Sequence, residues 1–215
     1  MRSIIAMILF CMLSCFTYAQ KIVEKHLSYS SNKDIELNLQ IADSIRIITW
    51  NKSEVYAKAS ININDNKDND IYTTEFDESG SKVKVKAKFD DDRSRQTWSD
   101  SCNCRCTRSK IYWDIYIPEN AGFSVETING DITITGKTGE IKAHSISGFI
   151  DLAFAEARKA DLKMSTISGT IYTNVAIAKP KNRRGGNSVS SEHNGGGQNV
   201  ELETISGDIF LRKAE

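Results

Sequence analysis

The C-terminal half of the chain alternates apolar and polar residues in short runs, and each run is broken at a glycine. The unit reads F-S-V-E-T-I-N-G-D-I-T-I over residues 123–134 and returns over residues 141–152, 162–173 and 200–211. Apolar residues at every second position on both sides of the glycine are typical of strands that bury one face. The Asn-Gly or Ser-Gly step indicates a turn, because glycine adopts a positive φ without steric cost. Each unit is therefore predicted to be a strand, a tight corner and a second strand.

The spacing of the corners favours a solenoid. Gly130, Gly148 and Gly169 lie 18 and 21 residues apart, and Gly207 follows 38 residues later, about two periods. Gly139 divides the first interval into halves of nine residues. A repeat of about 20 residues is typical of chains whose units bury their apolar faces by stacking on one another. We therefore predict a C-terminal parallel β-solenoid with these five glycines as structural turns. The alternative is a row of ordinary antiparallel hairpins.

Alternation about each glycine assigns the apolar side chains of the repeat to the interior. Stacked rungs place like residues above like, about 4.8 Å apart. The predicted inward positions are Val125, Ile128, Ile132, Ile134, Ile141, Ile146, Ile150, Leu152, Leu162, Met164, Ile167, Ile171, Leu202, Ile205, Ile209 and Leu211. Polar residues beside the corners also recur at equivalent positions, as Thr127, Ser145, Thr166 and Thr204. They are predicted to form a ladder that suits a repetitive binding partner, because many weak contacts add through multivalency.

The N-terminal half alternates as well, but it lacks the glycine-punctuated repeat. Lys82–Phe89 is a strict alternation with lysines on one face, which suits an exposed edge strand. We predict a β-rich cap over residues 20–120, either sandwich-like or built of irregular rungs, and the solenoid over residues 121–215. Within the solenoid, residues 179–199 contain Pro180 and two glycine clusters, and they are predicted to be a flexible insert.

The first 19 residues read as a secretory signal peptide. Arg2 precedes an apolar run that is too short to span a bilayer comfortably. Thr17-Tyr18-Ala19 resembles a cleavage site, so the mature chain is expected to begin at Gln20 or Lys21. An alternative is a lipoprotein acylated at Cys15, although the preceding Met12 and Leu13 fit that signal poorly. No transmembrane span is predicted in the mature chain, which is expected to be exported and periplasmic, outer-membrane-associated or extracellular.

Charge excludes one class of partner. The chain has 28 basic and 28 acidic side chains, and Arg2 is the only charged residue before Gln20, so 27 basic face 28 acidic residues in the expected mature chain. A net charge of −1 argues against nucleic acid, which requires a basic face. Two prolines and the heavy use of Thr, Ile, Ser and Asn favour an all-β chain.

Two stretches carry a resemblance to a known family. They are I-Y-W-D-I-Y-I-P-E-N-A-G-F-S-V-E-T-I-N-G-D-I-T-I over residues 111–134 and G-G-G-Q-N-V-E-L-E-T-I-S-G-D-I-F-L-R-K over residues 195–213. Both resemble the bacterial putative-adhesin family, a domain of unknown function. The resemblance implies an exported, β-solenoid-like protein of the cell envelope, and it offers no catalytic residues.

Candidate chemistry is scarce. His26, His144 and His193 are the only histidines, and no familiar hydrolase, zinc or phosphate-binding motif occurs. Asp131 and Asp208 stand beside corner glycines, but the calcium-binding nonapeptide is absent. We therefore predict no catalytic residues, no metal site and no cofactor.

Cys102, Cys104 and Cys106 would face one side of an extended strand. An exported protein meets an oxidising compartment, which favours a disulfide among them. A soft metal is the alternative, but a closed zinc site requires a fourth ligand.

These observations predict a non-enzymatic envelope or surface protein, an adhesin or binding scaffold that presents Ser/Thr/Asn-rich strand faces. Its expected partner is an envelope glycan or a protein. One alternative is an envelope-stress or signalling accessory. Another is a polysaccharide-active solenoid enzyme, which would require clustered acids and bases on one face.

Overall fold

The computed structural model describes residues 20–90, 108–177 and 187–214. As predicted, the fold is all-β: fifteen strands in these ranges join one sheet, and the 3₁₀ turn Asn69–Ile71 connects two of them. The strands before residue 120 are β1 Lys21–Ser28, β2 Asp34–Leu39, β3 Ile41–Trp50, β4 Glu54–Ile63, β5 Tyr72–Asp77, β6 Lys82–Phe89 and β7 Ser109–Pro118. The later strands are β8 Phe123–Thr135, β9 Ile141–Ser147, β10 Ile150–Phe154, β11 Ala160–Thr166, β12 Ile171–Thr173, β13 Asn187–His193, β14 Gln198–Ser206 and β15 Ile209–Lys213.

The centre of the sheet is a stack of five rungs within the described ranges, each a strand, a corner and a strand. In spatial order they are rung A (β2 and β3), rung B (the two halves of β8), rung C (β9 and β10), rung D (β14 and β15) and rung E (β11 and β12). All rung-to-rung pairing is parallel, so the antiparallel-hairpin alternative does not hold for these strands. We call the strands before the corners the entry wall and those after the corners the exit wall.

Spatial order differs from chain order at the C-terminal end. Rung D comes last in the sequence, yet β14 pairs with β9 on one side and with β11 on the other. The last repeat is therefore inserted between the second and third repeats of the chain.

Strands from the N-terminal half extend both walls beyond rung A. In the entry wall, β6 pairs in parallel with β2, and β5 pairs antiparallel with β6. In the exit wall, β7 pairs in parallel with β3, followed by antiparallel β4 and β1. One hydrogen-bonded sheet therefore crosses the predicted boundary at residue 120, and β2 and β3 form a rung of the same kind as the C-terminal ones.

The predicted flexible insert contains a regular strand. Residues 178–186 lie outside the described ranges, but β13 pairs antiparallel with β11 along its whole length. Gly195 and Gly196 then take a positive φ, which turns the chain over the end of β11 and into β14. The strand β13 thus covers the outer edge of β11, which would otherwise present unpaired backbone groups.

The core lies on the inner faces of the two walls. Eleven of the predicted inward residues are buried, namely Val125, Ile132, Ile134, Ile141, Ile150, Leu152, Leu162, Met164, Leu202, Ile209 and Leu211. Ile171, on the short strand β12, is half-buried. Ile128, Ile146, Ile167 and Ile205 were also expected inside, and they are exposed. Their placement is explained below because it forms part of the candidate site.

A buried hydrogen-bond chain holds the corner of rung A. The indole Nε1 of Trp113 donates to the hydroxyl of Tyr72 at 3.2 Å, and that hydroxyl donates to the carbonyl oxygen of Ile41 at 2.9 Å. Ile41 stands at the corner, where the register between β3 and β8 shifts. The pair therefore ties β5 and β7 to the first corner of the stack.

Stability should fall at alkaline pH because of Tyr72. Burial raises the pKa of this tyrosine from 10.0 to about 12, because the phenolate would be held away from water. Between these values the unfolded chain loses the proton and the folded chain keeps it. Stability is therefore complete below pH 10 and is lost as the pH rises towards 12, by about 2–3 kcal/mol. Urea unfolding across this range should show a steeper decline for the natural chain than for Tyr72→Phe. Equal slopes would contradict the assignment of this loss to Tyr72. The lysines also titrate at alkaline pH, but they are the same in both proteins and cannot cause a difference in slope.

Candidate functional site

The corner glycines lie directly above one another. Glycine is required there because the backbones of adjacent rungs approach too closely for a side chain, rather than because the backbone takes a positive φ. A Cβ on Gly148, Gly207 or Gly169 would lie well under 3.0 Å from a glycine carbonyl oxygen on the adjacent rung. The oxygens belong to Gly130, Gly148 and Gly207 respectively. Among the five predicted turn glycines only Gly148 has a positive φ. The expectation of a left-handed conformation is therefore wrong for Gly130, Gly139, Gly169 and Gly207.

Gly139 serves the same purpose in the turn between rungs B and C. A Cβ there would lie 2.5 Å from the carbonyl oxygen of Asn120 and 2.8 Å from the amide nitrogen of Gly122. The amide of Gly139 also donates to the carbonyl oxygen of Ala121 at 2.9 Å. Backbone therefore packs on backbone at this turn too.

The predicted hydroxyl ladder exists, but it faces inward. Parallel pairing aligns its members in the order Thr127, Ser145, Thr204 and Thr166, with exposed fractions of 4%, 0%, 3% and 3%. The interpretation of these side chains as a binding surface is therefore wrong. Strict alternation from the buried Val125 places Thr127 on the inner face of its strand, whatever its polarity.

These hydroxyls satisfy the carbonyl groups that the glycine stack buries. Each donates to a corner carbonyl oxygen on the adjacent rung, at 2.9–3.5 Å, in the pairs Thr127 to Gln40, Ser145 to Gly130, Thr204 to Gly148 and Thr166 to Gly207. A buried carbonyl without a partner costs about 1–3 kcal/mol, so a short hydroxyl is favoured at this position. Thus the small glycine and the neighbouring Thr or Ser act together.

The corner aspartates are also structural. Asp131 accepts the amide of Phe149 at 3.1 Å, and Asp208 accepts the amide of Thr170 at 2.8 Å. Each bond joins one rung to the next. Among the described residues no group of three or more His, Cys, Asp or Glu side chains could hold a metal ion. Cys102, Cys104 and Cys106 lie outside the described residues, so their pairing stays a prediction.

The same alternation that buries the hydroxyls exposes a line of isoleucines. Ile128, Ile146, Ile205 and Ile167 follow them at the corners of rungs B, C, D and E, with exposed fractions of 46%, 41%, 40% and 75%. We call these four residues the isoleucine ridge. Single exposed apolar residues are ordinary, but an aligned row makes a continuous apolar strip, and such strips mark interaction sites. Hydrophobicity predicts these isoleucines inside, whereas the alternation that begins at Val125 places them outside.

Beside the ridge, the outer face of the entry wall carries charged side chains, and three of its carboxylates are paired with lysines. Glu36 is bridged by the ammonium group of Lys82, which lowers the pKa of Glu36. Lys163 contacts Glu201 and Glu203, and it lowers the pKa of Glu203.

The surface of the entry wall dips over β2. Three adjoining hollows, of about 220, 210 and 240 Å³, share Asn38 as a lining residue. Asn38 pairs by register with the longer Lys86 on β6 and the longer Glu126 on β8, so the surface is lowest at the asparagine. We call this depression the trough. Its centre is lined by Asn38, Gln40, Lys86, Glu126 and His144, and its border on the side of β5 and β6 is lined by Glu36, Thr73, Glu75, Lys84 and Lys88. At the corner the trough reaches Ile128 and Ile146 of the ridge.

The three histidines occupy unlike surroundings. His26 lies on the outer face of the exit wall, 3.2 Å from a carboxylate oxygen of Glu54. His193 is buried, and its two ring nitrogens face the carbonyl oxygens of Ala176 and Glu156. His144 lies in the trough, on the strand between those of Glu126 and Glu203. No two histidines come together, and none lies beside a serine or cysteine nucleophile in the described part of the chain.

The class of protein follows from this geometry. The described chain is a short parallel β-solenoid with stacked glycine corners, a buried hydroxyl ladder and an open outer face. Residues 121–212 match the model of the Toastrack DUF4097 family, and this confirms the family resemblance found in the sequence. No curated protein matches the chain.

Two solved structures are similar to the chain. A putative cell adhesion protein from Clostridium sporogenes has a TM-score of 0.57 at 13% identity, over 91% of this chain and 100% of its own. At that identity the likeness shows the fold alone. A putative adhesin from Bacteroides fragilis has a TM-score of 0.26 at 9% identity, over 91% of this chain and 98% of its own. Finally, the described residues contain no helix with the length and hydropathy that a membrane-spanning helix requires.

Proposed function

We propose that this protein is a non-enzymatic binding scaffold of the cell envelope or cell surface. In this proposal residues 1–19 direct export, the N-terminal strands cap the solenoid, and the outer face of the entry wall binds an envelope glycan or protein. The name of the similar structure from Clostridium sporogenes, a putative cell adhesion protein, supports a role in surface binding. The family match over residues 121–212 adds to that support.

The isoleucine ridge is the observation that carries the proposal. Its four side chains occupy equivalent corner positions on consecutive rungs, and between 40% and 75% of each is exposed to solvent. Water contact with apolar surface is unfavourable by about 25 cal/mol per Å², so the strip gains free energy when a partner covers it. The strip lies on a rigid scaffold, because each corner is fixed by the glycine stack, and a rigid site costs little ordering on binding.

Binding should depend on the ridge and not on exposed apolar residues elsewhere. The test compares two double variants. The ridge variant carries Ile146→Ser and Ile205→Ser, and the control variant carries Ile22→Ser and Tyr112→Ser, which change exposed residues on the exit wall. We expect the ridge variant to bind envelope fragments of the parent organism about tenfold more weakly, because two half-buried isoleucines together supply about 1–2 kcal/mol. The control should bind like the natural chain. The measurement is co-sedimentation of the purified chain from Gln20 onward.

Two outcomes would overturn the scaffold. One is the absence of binding by the natural chain to any envelope fraction. The other is release of soluble products from a polysaccharide panel, in a reaction abolished by a single change such as His144→Ala. The second outcome would establish the enzyme alternative, since turnover depends on a few unlike groups that converge on one point.

A further inference from the structure

We infer that the trough is a saccharide site whose ligand is an uncharged glycan chain. The inference rests on the proposed function and names the ligand class that the outer face of the entry wall recognises. The trough brings an amide on Asn38, an amide on Gln40, a carboxylate on Glu126 and an imidazole on His144 to one depression of the surface. It also borders two isoleucines.

The size of the trough suits single sugar rings in a row. Each of its three hollows, at about 210–240 Å³, is smaller than the roughly 300 Å³ at which sites for drug-sized ligands begin. The hollows adjoin one another across β6, β2, β8 and β9, so consecutive rings of one chain can occupy them together. Several weak subsites in a line then add through multivalency.

The polar groups match hydroxyls. A sugar hydroxyl is both one donor and an acceptor, and planar amides and carboxylates offer donors and acceptors side by side. Asn38 donates to Glu126 at a long 3.4 Å, and no described residue bonds the side-chain amide of Gln40. These groups therefore keep hydrogen-bonding capacity for a ligand, whereas Glu36 at the border of the trough is already engaged by lysines, as are Glu201 and Glu203 outside it.

The apolar border suits the other side of a sugar ring. One face of a pyranose consists mainly of C–H groups, and Ile128 and Ile146 stand beside Glu126 and His144 at the corner end of the trough. A ring whose edge reaches the polar groups can thus lay its C–H face on the ridge. The trough and the ridge together provide the amphipathic surface that a sugar requires.

Charge and position exclude the nearest alternatives. The lysines that line the three hollows, Lys84, Lys86 and Lys88, are matched by Glu36, Glu75 and Glu126, so the trough has no field of one sign that would select a polyanion. An extended peptide binds a sheet best by adding a strand at a free edge. The centre of the trough crosses β6, β2, β8 and β9, whose backbone groups are paired on both sides, and only one side of the trough reaches the edge strand β5.

The test uses short oligomers of glucose, galactose and N-acetylglucosamine as probes, with alginate fragments as the anionic comparison. Amide NMR spectra of the purified chain from Gln20 onward should shift at Gln40, Glu126 and His144 with at least one neutral oligomer. The combined change Asn38→Ala and Glu126→Ala should weaken that binding at least tenfold. The matched control is Glu201→Ala, which changes the same wall outside the trough and should leave binding unchanged.

The inference fails if no neutral oligomer binds, if alginate alone binds, or if the Asn38 and Glu126 variant binds as well as the control. If envelope fragments still bind in a ridge-dependent manner after any of these results, the scaffold stands and only its ligand class is wrong. If a peptide from the envelope fraction competes for the same amides while sugars do not, the partner is a protein and the inference is wrong. If neither sugars nor envelope fragments bind, the proposed binding function is itself wrong, and the inference fails with it.

Discussion

Replacing Gly207 with alanine should lower the free energy of unfolding by about 3 kcal/mol or more. Its added Cβ would meet the carbonyl oxygen of Gly148, well under the 3.0 Å that real Cβ atoms keep. The obstacle is backbone, so it cannot rotate away as a side chain would. Gly207 also has a neighbour on each side in the stack, since its own carbonyl oxygen stands where a Cβ of Gly169 would lie. Urea unfolding followed by circular dichroism measures the loss.

The chain supplies graded controls for that experiment. A Cβ on Gly130 would lie 2.8 Å from the carbonyl oxygen of Ala42, so Gly130→Ala should cost less than Gly207→Ala. A Cβ on Gly122 would meet only ordinary contacts at 3.6 Å, so Gly122→Ala should be within about 0.5 kcal/mol of the natural chain. If Gly207→Ala yields no folded protein, this graded order is tested with Gly130→Ala and Gly122→Ala alone. Equal unfolding midpoints across the series would contradict the stacked-glycine account.

Replacing Trp113 with alanine should lower the free energy of unfolding by about 3–5 kcal/mol. The indole is fully buried between the walls of the N-terminal half, and it donates to the hydroxyl of Tyr72. The change therefore leaves a large cavity and removes the partner that orients Tyr72 towards the corner of rung A. The corner should loosen along with the core around it.

Tyr112→Ala is the matched control for Trp113→Ala. Tyr112 precedes the tryptophan on the same strand, points the other way and is 44% exposed. Its loss should change stability by no more than about 0.5 kcal/mol. Urea unfolding of both variants decides the matter, and similar losses from both changes would show that the tryptophan does not anchor the core.

The repeat could be found in the sequence because the corners of rungs B to E each carry a glycine and, two residues later, an isoleucine. Val125, Ile132 and Leu202 were correctly predicted to be buried, because each lies in a strand that alternates regularly between apolar and polar residues. The direction of the side chains at the corner could not be predicted in this way. Between the buried Thr127 and the buried Ile132 the chain changes walls, and the inward position moves from odd to even numbers. Hydrophobicity alone then chose Ile128 over Thr127, although alternation from Val125 selects the threonine.

Other features depend on contacts that no local pattern reveals. The first rung carries Ala42 near the position of the corner glycines, so it lacks the signature of the repeat. The trough depends on β6 and β2 lying beside β8, which joins residues separated by as many as 88 positions, as in the bond between Asn38 and Glu126. A single sequence gives the residues of such a site without their neighbours. The sequence therefore shows that serine and threonine recur beside the corners, but it does not show that their side chains point into the core.

The inserted position of rung D has a consequence for how the molecule forms. Of the described strands, β14 and β15 are synthesised after all the others, yet they separate rung C from rung E in the finished stack. A growing chain that has completed rungs A to C cannot add rung E in its native place until β14 and β15 have been made. Pairing between segments far apart in the sequence makes folding slow. The stack is thus completed only after β14 and β15 have been made, and any version cut short before β14 loses an inner rung of its stack rather than an end rung.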